Sequence, residues 1–235
     1  MPFTLAHPAA VLPLRRALWF PGLVAGSIAP DIPYYVPLGV DAGRTHSLLG
    51  LPIDLALGAA LLLLARSAHR PLLALLGKSA TLPGTTLRRA ALAITVGALT
   101  HLAWDSFTHT DGIAVQHWEI LRESVIGPHR VYNVFGYLSS AGGVLILTWY
   151  TARWYRAATS VPPAPQRNWV LTALLLAAAI GALLAGTDPI VHTSLYDCIR
   201  HLLVAATQGA ALAFTLWAAA YTALDHTRRQ SPRDQ

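Results

Sequence analysis

Charge and cysteine are both scarce in this chain, and each scarcity narrows what it can be. Of 235 residues, 12% are charged and 54% hydrophobic, whereas about 25% charged residues is usual in a soluble domain. The apolar segments nearest the C-terminus are Ala/Leu-rich on all faces, which argues against a large soluble helical protein and for a membrane one. The single cysteine, Cys198, excludes an internal disulfide and a cysteine-rich metal site. Local spacing assembles no His–Asp pair on it, so it reads as a small core residue. No nucleophilic serine or cysteine signature and no glycine-rich phosphate loop occurs, which sets aside nucleotide-driven chemistry. No internal repeat is visible. The net charge of +6 is spread over short loops between apolar runs, so it carries topology information and nucleic acid is not an expected partner.

What the chain has instead is apolar length. Segments at roughly 48–65, 90–107, 131–151, 169–186 and 201–224 approach the ~20 residues that cross a bilayer. The expected fold is all-α: a polytopic membrane helical bundle of about five spans, with an N-terminal interfacial or re-entrant segment. Residues 1–226 form one membrane-embedded domain in this reading, 1–47 its site-bearing segment, and 227–235 a disordered tail. Arg66, Arg70, Lys78, Arg88 and Arg89 fill one loop without an acid, and Arg153, Arg156 and Arg167 another. With the basic tail, these alternate along the chain, which places them and the C-terminus on the cytoplasmic side of the inner (plasma) membrane. The loops 108–130 and 187–200, which carry Asp111, Glu119, Glu123, Asp188 and Asp197, then face outward.

The first 30 residues are apolar but lack a basic region ahead of the apolar stretch, and no cleavage site is evident, so a signal peptide is not expected. Pro13, Pro21-Gly22 and Arg15-Arg16 make a poor span. A short helix followed by a broken, re-entrant piece is favoured, since broken backbone at membrane depth is tolerated where it lines a protein cavity. The alternative, a sixth span, would separate His7 from Asp31 by about 30 Å, the hydrocarbon thickness.

The most informative stretch is Thr100 to His109, which reads H-x-x-x-D-x-x-x-H across His101, Asp105 and His109. On a helix, residues four apart stack on one face. Two imidazoles and a carboxylate inside an apolar span are a functional site by default, and such donors suit a zinc-type ion. His7, Asp31 and His46 fall on the same side in the topology above. His7, Asp31, His46, His101, Asp105 and His109 are thus the candidate metal ligands, for one or two divalent ions, zinc being expected. Asp31 and Asp105 are the candidate catalytic carboxylates, as general base or as groups that orient a ligating histidine. A metal with an open coordination position acidifies bound water, chemistry suited to ester or phosphoester hydrolysis. The alternatives are bland: turn capping by Asp31, interfacial histidines at 7, 46 and 109, and a helix-linking His101–Asp105 pair. Asp54, two turns below His46 in the first span, reads as a support behind the ligands or as part of a polar relay. Asp111 and His129 could reach the same mouth.

These residues also carry a resemblance. The opening Met1-Pro2-Phe3-Thr4-Leu5-Ala6-His7-Pro8, then Gly26-Ser27-Ile28-Ala29-Pro30-Asp31, Thr45-His46-Ser47 and the run from Gly97 to His109 resemble a family of bacterial membrane proteins known as domain-of-unknown-function family 4184. More distantly the pattern is similar to inner-membrane metal-dependent hydrolases and, through them, to the helical zinc-dependent phospholipase C class. The resemblance implies ligand roles for His7, Asp31, His46, His101 and Asp105. Two departures stand out. Ile32-Pro33 follows the Pro-Asp turn where the hydrolase-like group often has a second acid, and His109 belongs only to the closer family's pattern.

Three functions are therefore weighed. The first is a metal-dependent hydrolase acting on a lipid or phosphoester at the outer face of the membrane, with membrane lipid as partner. The second is a transporter or proton-coupled carrier using intramembrane His and Asp residues. The third is a non-catalytic metal-binding membrane protein. A haem site built on paired histidines is the least favoured.

Overall fold

The structure is a computed structural model that describes residues 3–230. It is 77% helical, and its only ladders among the described residues are two short pairs, so the fold is all-α. The chain opens with two 3-10 turns, Thr4–Ala9 and Leu12–Arg16. Four short or long helices follow: α1 (Phe20–Ile28), α2 (Ile32–Tyr35), α3 (Ala42–Thr45) and α4 (Leu51–Leu76). Next come β1 (Lys78–Ser79), α5 (Leu87–Thr108), α6 (Ile113–His117), α7 (Glu119–Arg122) and the hairpin β2 (Ser124–Ile126) with β3 (His129–Arg130). The chain ends with α8 (Val131–Ala157), β4 (Thr159–Ser160), α9 (Arg167–Ala185) and α10 (Leu195–Gln230).

Five helical stretches are long and apolar enough to cross a membrane: Leu48–Leu76, Leu87–His117, Val131–Ala157, Arg167–Ala185 and Leu195–Thr227. They are the five expected from hydropathy, several extended by a few turns. Arg66 and Arg70 lie in α4 rather than in a loop, because a snorkelling arginine is compatible with a helix end at the interface. The last helix likewise runs to Gln230, four residues into the tail expected to be unstructured. Residues 231–235, the rest of that tail, and Met1-Pro2 of the opening motif lie outside the described residues.

The chain forms two compact units. The first comprises 1–65 and 83–157, the second 66–82 and 158–235. In the second unit α9 packs along α10, and β1 pairs antiparallel with β4. That ladder joins two basic loops expected to share one side.

In the first unit α1 lies against α5, and small residues allow the approach. A Cβ on Gly26 would sit 2.0 Å from the Ile94 carbonyl oxygen, and one on Gly97 would sit 2.3 Å from that of Leu23. Only glycine permits backbones this close. Val11, Leu23 and Ala93 are fully buried at the heart of this contact. The first 3-10 turn packs on α8, where the Phe3 amide donates to Ser140 Oγ at 2.8 Å. The N-terminal segment is therefore broken, as expected. Its longest helix, α1, has nine residues, too few to span, which removes the sixth-span alternative.

Candidate metal centre

Four elements of the first unit bring the six predicted residues together. His7 comes from the first 3-10 turn, Asp31 from the 3-10 turn Ala29–Asp31 after α1, His46 from the end of α3, and His101 and Asp105 from α5. His109 does not continue the helical stripe. The helix ends at Thr108, and His109 is its extended C-cap (φ −99°, ψ 144°), its amide still donating to the Asp105 carbonyl. The turn outward carries its ring back to Asp105, with Nε2 3.4 Å from Oδ2. The expected neighbours are therefore kept, by a cap rather than by a third helical turn.

His7, Asp31, His101 and Asp105 are 4%, 0%, 1% and 5% exposed. His46 Nε2 lies 3.2 Å from Asp31 Oδ1 and 3.6 Å from Asp105 Oδ2. His101 Nε2 lies 3.6 Å from Asp31 Oδ1 and 3.4 Å from Asp105 Oδ2. His7 Nε2 lies 3.6 Å from Asp105 Oδ1, and its ring stacks on His101 at 3.8 Å between centroids.

Second contacts fix which nitrogen of two histidines faces the cluster. His101 Nδ1 is 2.8 Å from the Ser27 carbonyl oxygen, and His46 Nδ1 is 2.8 Å from that of Ala42. A carbonyl only accepts, so both Nδ1 atoms carry the hydrogen and both neutral rings present a bare Nε2. Those two Nε2 atoms are 3.3 Å apart. Two lone pairs directed at each other beside two carboxylates require a cation between them, either a proton or a metal ion.

The remaining donors favour a metal ion. His7 Nε2, His109 Nε2, Asp31 Oδ2 and both Asp105 side-chain oxygens are buried with no hydrogen-bond partner among the described residues. Most of the separations exceed the ~2.7–3.2 Å of a good hydrogen bond. They match the edges of a coordination shell, because donors about 2.0–2.2 Å from one small ion stand roughly 3.0–3.5 Å apart. Two overlapping groups can hold an ion, His7 with His101 and Asp105, and Asp31 with His46 and His101; in each, the donor atoms lie within 4.8 Å of one another.

Electrostatics outside the spans agree with this picture. Burial, aided by the neighbouring His101, lowers the His7 imidazole to about 4, so it is neutral and able to ligate near pH 7. Burial opposes ionisation of Asp31, but a hydrogen bond with His46 and the nearby His101 and His7 prevail and hold its carboxyl below the usual range. Burial also opposes protonation of His46, and the Asp31 carboxylate more than reverses this, so His46 stands above its ordinary value.

Other residues secure the centre. Thr45 donates through Oγ1 to the Pro30 carbonyl at 2.7 Å, which ties the His46 turn to the Asp31 turn. The Thr4 side chain helps to favour the ionised form of Asp31, and the Tyr34 ring lies 5.7 Å from that of His46. Sequence reading missed the carbonyls of Ser27 and Ala42, since every residue has one. It singled out Thr45 and Ser27 only as motif letters.

Of the weaker candidates, Asp111 reaches His109 Nδ1 at 3.2 Å, and His129 pairs with Tyr137 instead. Asp188, in the second unit, pairs with His201 at 3.5 Å. Asp54 is fully buried in α4, and neither carboxylate oxygen has a hydrogen-bond partner among the described residues.

Five apolar helices and a buried group of histidines and aspartates define the class: a helical membrane-spanning protein with a site that can hold a metal ion. The chain belongs to the family described as "Domain of unknown function (DUF4184)", whose match covers residues 1–220. That span includes every residue of the centre. No curated protein and no solved structure matches it.

Proposed function

We propose that the protein is a metal-dependent hydrolase of the inner (plasma) membrane, acting on a lipid or phosphoester at the outer face, with the C-terminus cytoplasmic. The observation that carries this reading is the pair of Nε2 atoms of His46 and His101, 3.3 Å apart beside Asp31 and Asp105, with each ring's Nδ1 against a main-chain carbonyl. His7, Asp31, His46, His101, Asp105 and His109 would hold one or two ions. The nitrogen-rich donor set with hard carboxylates suits zinc. A bound divalent ion supplies Lewis acidity to a carbonyl or phosphoryl oxygen and to water.

The chain's own groups supply the rest. Ser27 and Ala42 fix the imidazole orientations through Nδ1. Asp31 or Asp105 accepts a proton from water as the water oxygen bonds to the ester carbon or phosphorus. The bond from that centre to the leaving oxygen breaks, and the proton passes to this oxygen, giving an alcohol and an acid. Burial keeps bulk water from competing. The outward orientation is supported by the basic loops, which leave the acidic ones, and the centre beside them, on the far side.

The test is hydrolysis of phospholipid and phosphomonoester panels by the purified, metal-loaded protein beside His101→Ala/Asp105→Ala. Turnover in the first and none in the second supports the reading. Full metal content without turnover on any ester points to a non-catalytic metal site. A second reading, a proton-coupled carrier, draws on the buried carboxylate of Asp54 within a span, which has no hydrogen-bond partner among the described residues. It predicts pH-dependent solute uptake into vesicles that Asp54→Asn abolishes.

A further inference from the structure

Beside the centre, in the first unit, lies an apolar cavity of about 250 Å³. His7 is part of its wall, together with Ala9 from the N-terminal 3-10 turn region, Trp104 from α5, and Ser139, Gly142 and Ile146 from α8. The same His7 ring stacks on His101 and directs Nε2 at Asp105. Trp104 and Ile146 are 42% and 49% exposed, and both sit on helices able to span the bilayer, so their outer faces meet hydrocarbon. Ser139 and Ile146 are two turns apart on α8, about 10 Å along the axis. The cavity therefore runs from the level of the centre along α8 towards the mid-depth of that span, between a wall of small residues and two large apolar ones.

Its size selects the occupant. A drug-sized ligand needs about 300–1,000 Å³, so this cavity holds part of a molecule and not a headgroup with its chains. The lining is apolar save for His7 and Ser139. One glycine keeps it open: a Cβ built on Gly142 meets no atom within 4 Å, whereas one on the adjacent Gly143 would strike Ala6 at 2.8 Å. Gly143 thus serves the packing of the N-terminal turn on α8, and Gly142 leaves free volume.

We infer that this cavity takes one hydrocarbon chain of a bilayer phospholipid, entering sideways past Trp104 and Ile146, and that the owner of the chain is the substrate. Only the last clause rests on the proposed function. A tail seated against Ile146 and Gly142 brings the ester end of its lipid to His7, at the edge of the centre. The substrate class is then a two-chain or single-chain lipid ester, and a water-soluble phosphoester is excluded.

The test uses full-length protein in vesicles of phosphatidylethanolamine and phosphatidylglycerol, doped with phosphatidylglycerol bearing a diazirine in one acyl chain. After irradiation, labelled peptides are mapped by mass spectrometry, and metal content is measured on the same preparations. Label on Ala9 and on 139–146 in the native chain, reduced in Gly142→Leu to the level at the outward-facing Leu175 of α9 and kept in Gly142→Ala, supports the inference. Ala9→Phe, which fills the cavity from the opposite wall, gives the same loss if Gly142→Leu does not fold. Equal label on the cavity-lining peptides in the native and filled proteins overturns it. If label behaves as expected but the native protein binds no metal, the tail site stands and the hydrolase reading falls. If metal is bound and label on the cavity-lining peptides is insensitive to filling, the reverse holds.

Discussion

The Nε2 atoms of His46 and His101 face each other at 3.3 Å, while each ring's Nδ1 is held by a main-chain carbonyl, Ala42 for one and Ser27 for the other. The carbonyls remove the tautomeric freedom that would let one ring donate to the other, so the pair is stable only around a cation. The two carboxylates beside it, Asp31 and Asp105, set the preference for a divalent one.

This relationship predicts different pH responses in chelator-treated and metal-loaded protein. In the metal-free chain His7 is lowered to about 4 from an unfolded value near 6.5. Between those values the unfolded state binds more protons, so stability falls as pH drops from about 6.5 to about 4. His46 is raised by Asp31, so its contribution is complete below about 6.5 and fades as pH rises through the higher folded value. Thermal unfolding of the metal-free protein should therefore peak in the near-neutral range, and His7→Gln should flatten the acid limb. Added metal competes with the His46 proton, so its stabilisation should grow with pH. A flat profile in both states would contradict the assignment.

The close contact of α1 with α5 positions Asp31 against His101. Gly97→Val places a Cβ 2.3 Å from the Leu23 carbonyl oxygen, where main chain must move. Overpacking of this kind costs about 1–3 kcal/mol or more, and the displaced α1 should carry Asp31 away from the centre. The expected result is a lower unfolding midpoint together with weaker metal binding; a midpoint shift alone would show that the two are uncoupled.

His109 meets the centre at Asp105 and at the His46 ring, 6.0 Å away between centroids, and 22% of its side chain is exposed. His109→Ala should weaken metal binding without abolishing it, because the five more deeply buried donors His7, Asp31, His46, His101 and Asp105 remain. Competition with a chelator of known affinity measures this. Loss as complete as in His101→Ala would make His109 an equal ligand.

Among the described residues, Asp54 has no side-chain hydrogen-bond partner that a substitution could remove. Asp54→Asn should leave metal content unchanged and thermal stability unchanged or higher, because an unpartnered buried carboxylate is a cost to the fold. A lost metal would place Asp54 within the centre.

The five spans were legible because long apolar runs have one use in a chain this poor in charge, and the 101/105 spacing placed both donors on one helix face. The convergence of the six was expected as well: loop charges put His46 on the side of His101, and the broken, re-entrant reading of the first 30 residues kept His7 and Asp31 there. Three features were not. The return of His109 to Asp105 from a cap position was hidden: the span was expected to end near 107, but nothing in Thr108-His109-Thr110 shows which way the chain turns after it. The carbonyl partners of His46 and His101 depend on main-chain positions, to which sequence is blind. The cavity depends on Gly142 facing open space while Gly143 faces Ala6, a distinction of helix rotation that two adjacent glycines do not display.

The central claim is that a metal ion sits among these residues. Elemental analysis of detergent-purified full-length protein, prepared without chelator and again after loading with zinc, tests it directly beside His101→Ala/Asp105→Ala and with Asp54→Asn as the buried control. One or two ions per chain in the native protein and in Asp54→Asn, with none in the double variant, is the predicted result. No ion in the native chain after loading, or equal content in the double variant, would contradict it.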